Sequence, residues 1–306
     1  MQHTTHSFTG ARNLRIVYDV WQPLMPARAG IALVHGYGEH VGRYQHVITA
    51  LVKHGYLVYA HDQRGHGRSA GLRAYVDRFD EYVDDLEQLV GRIRAAQPHL
   101  PLFVAGHSMG GLIATLYALR AQAELAGLAL SAPALIIGAD VPPLLKRLST
   151  ALARIVPRLP IVPATRSPES VLSRDPEVQR RFDSDPLCYH GRVRPRMGYE
   201  FMQAGLRAQQ RLHELRLPLL VMYGACDTFV SGAELLYERA QSPDKTLKVW
   251  PECRHEIFNE PERNAVIAYL LSWLDARTTG GQVAATEPVT ARAPADSSPT
   301  PPSAKP

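Results

Sequence analysis

The stretch AGHSMGGLIA, residues 105–114, decides how the chain is read. Its centre, Gly106-His107-Ser108-Met109-Gly110, fits G-x-S-x-G. That pattern puts a serine on a sharp strand-to-helix turn. Glycines two residues to either side suit a crowded backbone in which a Cβ would clash. Glycine and serine are common, so the pattern alone is weak. Its weight comes from its flanks, apolar PLFVAGH (101–107) before it and helical MGGLIATLYALRAQ (109–122) after it.

The same rhythm extends outward. NLRIVYDVW (13–21), AGIALVH (29–35), YLVYAHD (56–62) and LAGLALSAP (125–133) read as strands. HVITALVKHG (46–55) and EYVDDLEQLVGRIRAAQ (81–97) read as helices; in the second, Tyr82, Leu86, Leu89 and Ile93 share a face. Apolar strands alternating with amphipathic helices predict an α/β fold with a mostly parallel central sheet and helices on both faces. From Ile136 the rhythm fails. Prolines and arginines accumulate, with helical patterns LLKRLSTALARIV (144–156) and YEFMQAGLRAQQRLHEL (199–215) and no convincing strand. It returns with LPLLVMYGACD (217–227), TLKVWPECRH (246–255) and the helical ERNAVIAYLLSWLDAR (262–277). The expected organisation is a core in two parts, 1–135 and 209–277, interrupted by an inserted helical cap, 136–208. Residues 278–306, rich in Pro, Ala, Ser and Thr, read as a disordered tail.

Charge follows the same division. The chain of 306 residues carries a net +5, and residues 136–208 hold 12 Lys+Arg against 7 Asp+Glu. The excess therefore lies wholly in the expected cap. It suits either a solvated face or peripheral contact with anionic lipid headgroups. No basic-aromatic interleaving points to nucleic acid. Cys188, Cys226 and Cys253 give no disulfide framework and fit a reducing compartment. The start, MQHTTHSFTG, lacks the apolar run of a signal peptide, and the longest charge-free apolar stretch, residues 125–139, is too short to span a bilayer. The expected location is cytoplasmic, peripheral to a membrane at most.

In an open parallel sheet, ligands bind beyond the carboxyl ends of the strands. There the sequence sets His35-Gly36-Tyr37-Gly38-Glu39-His40, then His61 to Gly67, Ser108, Asp227 and His255. A nucleophilic serine on this fold is followed by an acid and then a histidine. Only His190, His213 and His255 follow Ser108. His213 lies in a helical pattern and His190 in the cap, so His255 remains. The acid after the preceding strand is Asp227; Asp140, Asp175, Asp183, Asp185 and Asp244 read as caps and turn formers. His255 would take the proton of Ser108 and pass it to the leaving group, with Asp227 holding the imidazole. The N–H groups of Met109 and Tyr37 would hold the oxyanion.

Rival patterns fail. Gly36-x-Gly38 lacks the third glycine of a dinucleotide loop, where Val41 stands. His255-Glu256 lacks the second histidine of a metalloprotease helix, where Asn259 stands. His35, His40, His61 and His66 lack metal-ligand spacing, so neither metal nor cofactor is expected. Cys226 and Cys253 read as packing residues.

HGYGEHVGRY (35–44), AHDQRGHGRSAG (60–71), GHSMGG (106–111), SRDPEV (173–178), DPLCYHG (185–191) and HEIFNEPER (255–263) together resemble bacterial monoacylglycerol lipases, serine hydrolases of the α/β-hydrolase fold. The resemblance covers the chain up to about Arg277. It implies the triad Ser108, Asp227 and His255, oxyanion amides at Tyr37 and Met109, and Glu39 and Arg43 near a polar glycerol head. Relatives commonly carry Tyr where this chain has Phe182, which removes one polar contact. The implied substrate is a lipid ester, with Leu144, Leu145, Leu148, Leu152 and Ile155 available to wall an acyl channel. Alternatives are a lysophospholipase or broad carboxylesterase with the same triad, or a non-catalytic binding protein, which the complete triad disfavours. Epoxide hydrolases and dehalogenases need a carboxylate in place of Ser108.

Overall fold

Strand β1 (Gln2–Thr9) pairs in full register with β2 (Arg15–Gln22), from Gln2 opposite Gln22 to Thr9 opposite Arg15. Sequence reading gave β2 but not β1, because β1 is an edge strand with Phe8 as its one buried residue. Without apolar alternation it has no strand signature. The remaining strands are β3 (Ala29–Val34), β4 (Tyr56–His61), β5 (Leu102–His107), β6 (Gly127–Ser131), β7 (Leu219–Gly224) and β8 (Lys245–Trp250). This computed structural model describes residues 1–137, 150–162 and 172–278.

The sheet order is β1-β2-β4-β3-β5-β6-β7-β8. Strand β2 runs antiparallel to both its neighbours, and every pairing from β4 to β8 is parallel. Strands β3 to β6 are buried along their whole length, which is why they read as continuous apolar runs.

Alternate residues of each central strand feed two cores. Ala32, Val34 and Val104 pack with helices α2 (Asp80–Ala96) and α3 (Met109–Ala121) through Leu86, Leu89 and Ile113. Ile31, Leu33 and Phe103 pack on the opposite face with α1 (Gln45–Lys53), through Ile48 and Leu51. The last strand leads through a turn to the closing helix, whose Leu270 and Trp273 join that second core.

Between β6 and β7, residues 150–155 are helical. Helix α4 (Pro176–Ser184) follows, capped by Asp175, whose side chain accepts from Glu177 N at 2.9 Å, with Pro176 in the first turn. Helix α5 (Pro195–Arg211) comes next, and its Met197, Ala204 and Ala208 reach the first core. Among the described residues this segment pairs as strand only at isolated bridges, Ile136 with Ser231 and Val162 with Val193. A short helix, α6 (Ala233–Arg239), precedes β8, and α7 (Arg263–Thr278) closes the fold.

Leu144, Leu145, Leu148, Asp140 and all but the first residue of the expected tail lie outside the described residues. Leu152 is half-buried. Ile155 stands 76% exposed, so it faces solvent rather than walling a channel. Among the described residues no helix is long and apolar enough to cross a membrane.

Candidate active site

Ser108 sits between β5 and α3 at φ 53° and ψ −119°, a conformation that L-residues avoid. The surroundings force it. Ser108 N donates to Ser131 O at 3.0 Å, and Ser108 O accepts from Ala134 N at 3.0 Å and Leu112 N at 3.2 Å. A Cβ on Gly106 would fall on the Gly110 carbonyl, and one on Gly110 on those of Val34 and His35. Both flanking glycines are therefore required by the backbone around the elbow.

Three loops converge on it. Ser108 Oγ lies 3.0 Å from His255 Nε2, and His255 Nδ1 lies 2.8 Å from Asp227 Oδ2. Asp227 follows β7 and His255 follows β8, at the same carboxyl edge as Ser108. Asp227 Oδ1 accepts from Phe229 N at 2.8 Å and Val230 N at 3.3 Å. Burial pushes the Asp227 carboxyl up, but its hydrogen bond from His255, the imidazole charge and the two amides leave it below its ordinary value. Asp227 is thus an anion that holds Nδ1–H and leaves Nε2 facing the serine. Phe229 packs edge-on against the His255 ring, with centroids 5.1 Å apart.

The loop after β3 supplies Tyr37. Among the described residues, neither Tyr37 N–H nor Met109 N–H has a hydrogen-bond partner. Met109 is the first residue of α3, so its amide is one that a helix leaves unpaired. Gly36 N is different, donating to Glu39 Oε1 at 2.6 Å. Behind the loop, His35 donates from Nδ1 to Gly36 O and accepts Gln63 N at Nε2, at 2.8 and 2.9 Å.

Glu39 and Arg43 are inside the protein. Glu39 Oε1 also accepts from Tyr44 OH at 2.6 Å, and Oε2 takes Arg43 Nη1 at 3.0 Å. Arg43 forks onto Glu256 at 2.6 and 2.8 Å, and the Phe182 ring covers the guanidinium at 5.1 Å. Burial pushes the Glu256 carboxyl up, but the charge and hydrogen bonds of Arg43, with His107 and Asn259, leave it below its ordinary value. Sequence reading met Glu256 in a rejected metalloprotease pattern and in the stretch HEIFNEPER, and gave it no role of its own. Its pairing with Arg43 spans 213 residues and leaves no spacing to find.

Other expectations need amendment. Asp185 is more than a turn former, since it accepts from His40 Nε2 at 2.8 Å as well as from Leu187 N. His35, His61 and His66 are buried. His40, Asp185 and Cys188 hold their ligand atoms within 4.8 Å of one another. That trio is poorly suited to a cation. His40 Nδ1 accepts Gly42 N, so Nε2 carries the proton, and burial pushes the Cys188 thiol up to about 12. Burial also pushes Cys253 up to about 12, in keeping with a packing residue, whereas Cys226 is exposed.

Residues 25–262 match the family model described as serine aminopeptidase, S33. Over 271 residues the chain is 40% identical to the monoacylglycerol lipase of Mycolicibacterium smegmatis, covering 88% of this chain and 96% of that protein. The chain belongs to the monoacylglycerol lipase family. The monoglyceride lipase of Rattus norvegicus is 36% identical over 84% of this chain and 86% of its own. A crystal structure of a soluble variant of the Saccharomyces cerevisiae monoglyceride lipase, in complex with a substrate analogue, superposes with a TM-score of 0.79 at 27% identity, covering 90% and 96% of the two chains. The fold of this family member is the α/β-hydrolase fold. Its elbow, acid and histidine therefore stand on a scaffold shared across bacterial, mammalian and yeast proteins.

Proposed function

We propose that this chain is a serine ester hydrolase that cleaves monoacylglycerols to a fatty acid and glycerol. The observation that carries this reading is the continuous hydrogen-bonded line from Ser108 through His255 to Asp227, beside two amides unpartnered among the described residues. Ser108 Oγ passes its proton to His255 Nε2 and attacks the ester carbonyl. The oxyanion is held by the N–H groups of Tyr37 and Met109, where one donor is worth on the order of 10²–10³ in turnover. His255 returns the proton to the glycerol oxygen, which leaves. Water, deprotonated by His255, then releases the fatty acid from the acyl-enzyme. Asp227 stays ionised throughout and stabilises the imidazolium.

A broader carboxylesterase or lysophospholipase reading is favoured by one observation. Glu39 is consumed by Gly36, Tyr44 and Arg43, and an apolar Phe182 ring covers Arg43. Little side-chain polarity is left there to read a glycerol head. Residues 136–208 serve in this proposal as the cap, and its membrane-facing part is the lip 154–161. Ile155, Leu159 and Ile161 are exposed there beside Arg154 and Arg158, the latter 3.7 Å from Asp77 and still largely exposed. Arg194 and Arg196 contribute less, because they reach Arg73 O and Asp77 O inside the molecule. The protein would work in the cytoplasm, docking weakly on anionic lipid.

The test is Ser108→Ala together with a substrate panel. Purified wild type should hydrolyse monoacylglycerols, and a fluorophosphonate should label Ser108. The alanine variant should lose both while keeping its melting temperature within a few degrees. Retained hydrolysis in the variant would overturn the triad. A wild type that prefers lysophospholipids or short p-nitrophenyl esters would replace the monoacylglycerol reading with the broader one.

A further inference from the structure

We propose that Arg43 and Glu256 form a strap that holds the oxyanion loop in register with the turn carrying His255. Both act as positioning residues for the ester hydrolysis proposed above, on which this inference rests. The need for a strap follows from the topology. Tyr37 follows β3 and His255 follows β8, and three strands, β5, β6 and β7, lie between those two in the sheet. No ladder hydrogen bond joins the two loops directly. Yet the reacting carbonyl has to meet Ser108, the Tyr37 amide and the imidazole together, and a displacement of about 1 Å can cost 10²-fold.

The geometry bridges the gap. On one side, Glu39 accepts Gly36 N, the amide that precedes Tyr37, and ties it to Arg43. On the other, Glu256 is the neighbour of His255 in the chain and is itself fixed by Asn259 Nδ2 at 2.7 Å. Its backbone N donates to Leu172 O at 2.7 Å. Arg43 spans the two with a two-pronged contact, which fixes direction as well as distance. The side chains of Glu39, Arg43 and Glu256 are 4%, 10% and 6% exposed. Two carboxylates share one guanidinium, an arrangement that apolar packing could replace if holding the fold were its whole task. A second tie, His46 Nε2 to Phe258 O at 2.7 Å, joins α1 to the same turn and does not depend on Arg43.

A head-group role for Arg43 predicts something else, and the two separate cleanly. Glu256→Gln and the milder Arg43→Lys, which keeps the charge and loses the fork, are compared with wild type. The readouts are the rate of fluorophosphonate labelling at Ser108 and kcat and KM on a monoacylglycerol and a p-nitrophenyl ester of the same acyl chain. Rates are normalised to labelled sites, so a partly unfolded preparation does not mimic the effect. The strap predicts labelling and kcat lowered about 10- to 100-fold on both esters, with KM within about twofold. Labelling at the wild-type rate in both variants overturns it, as does a loss confined to a higher KM on the glycerol ester. If the wild type is labelled but cleaves neither ester, the substrate reading falls and the labelling rates still decide the strap.

Discussion

At the carboxyl edge of the sheet, Arg64 closes on Asp85 at 2.7 Å and Glu81 at 2.6 Å with its side chain 2% exposed. On α4, Arg180 and Arg181 reach Glu177 at 2.6 and 3.1 Å with side chains 71% and 78% exposed. The distances match and the surroundings do not. The edge takes its charges out of water, where losing a partner is costly, so these pairs tie its loops to α2. Helix α4 has no buried residue and leaves its charges to solvent. The loop after it is held to the core at a few points instead, Tyr189 N to Gly38 O, Arg73 to Leu187 O, and His40 to Asp185. The proposed catalytic residues stand on this edge, and the neighbouring segment meets it through these contacts.

The contrast can be broken most forcefully at Arg64. Arg64→Ala leaves the buried Asp85 without a cation and Glu81 with only exposed arginines, Arg12 among them, and should cost about 3–5 kcal/mol in denaturant unfolding. A loss near zero would mean that the edge tolerates unpaired charge.

Acid should strike the same region. Burial, the leading cause in each case, lowers His35 and His66 to about 3 and His61 and His107 to about 4. The unfolded chain takes up protons near pH 6.5 that these folded imidazoles refuse. Their contribution is whole above pH 6.5 and is lost as pH falls toward about 4. With each histidine worth up to about 1.4 kcal/mol per pH unit, several kcal/mol should disappear by pH 5. A melting temperature that holds steady between pH 7 and pH 5 would contradict this.

The exposed lip offers a smaller effect. Arg154→Gln with Arg158→Gln should cut sedimentation with anionic vesicles several-fold, and raised salt should do the same to the wild type. Equal binding to neutral vesicles, insensitive to salt, would remove the docking proposal. The smallest effect belongs to α4. Glu177→Gln should move the melting temperature by less than about 2 °C, because exposed pairs contribute little. A larger fall would erase the distinction between the two regions.

The elbow was legible because a crowded turn leaves local marks, glycines at 106 and 110 between an apolar strand and a helix. The order of Ser108, Asp227 and His255 was legible because each follows a core strand. What escaped was of two kinds. Strand β1 and helix α4 are solvent-facing, and α6 is short with only Ala233 and Leu236 buried, so burial imprinted little or no period on them. The Arg43–Glu256 and His40–Asp185 contacts join residues 213 and 145 apart, and nothing local marks such a pair.

The positive φ of Ser108 carries a consequence for how this protein changes under selection. Holding a serine where the backbone prefers glycine costs on the order of 1–3 kcal/mol. Ser108, the proposed nucleophile, is therefore a standing burden on the folded state, and glycine at 108 should give a sturdier molecule without ester hydrolysis. Any lineage released from the need for catalysis has a downhill route at this one position, and any attempt to harden the enzyme has to find its gains elsewhere in the chain.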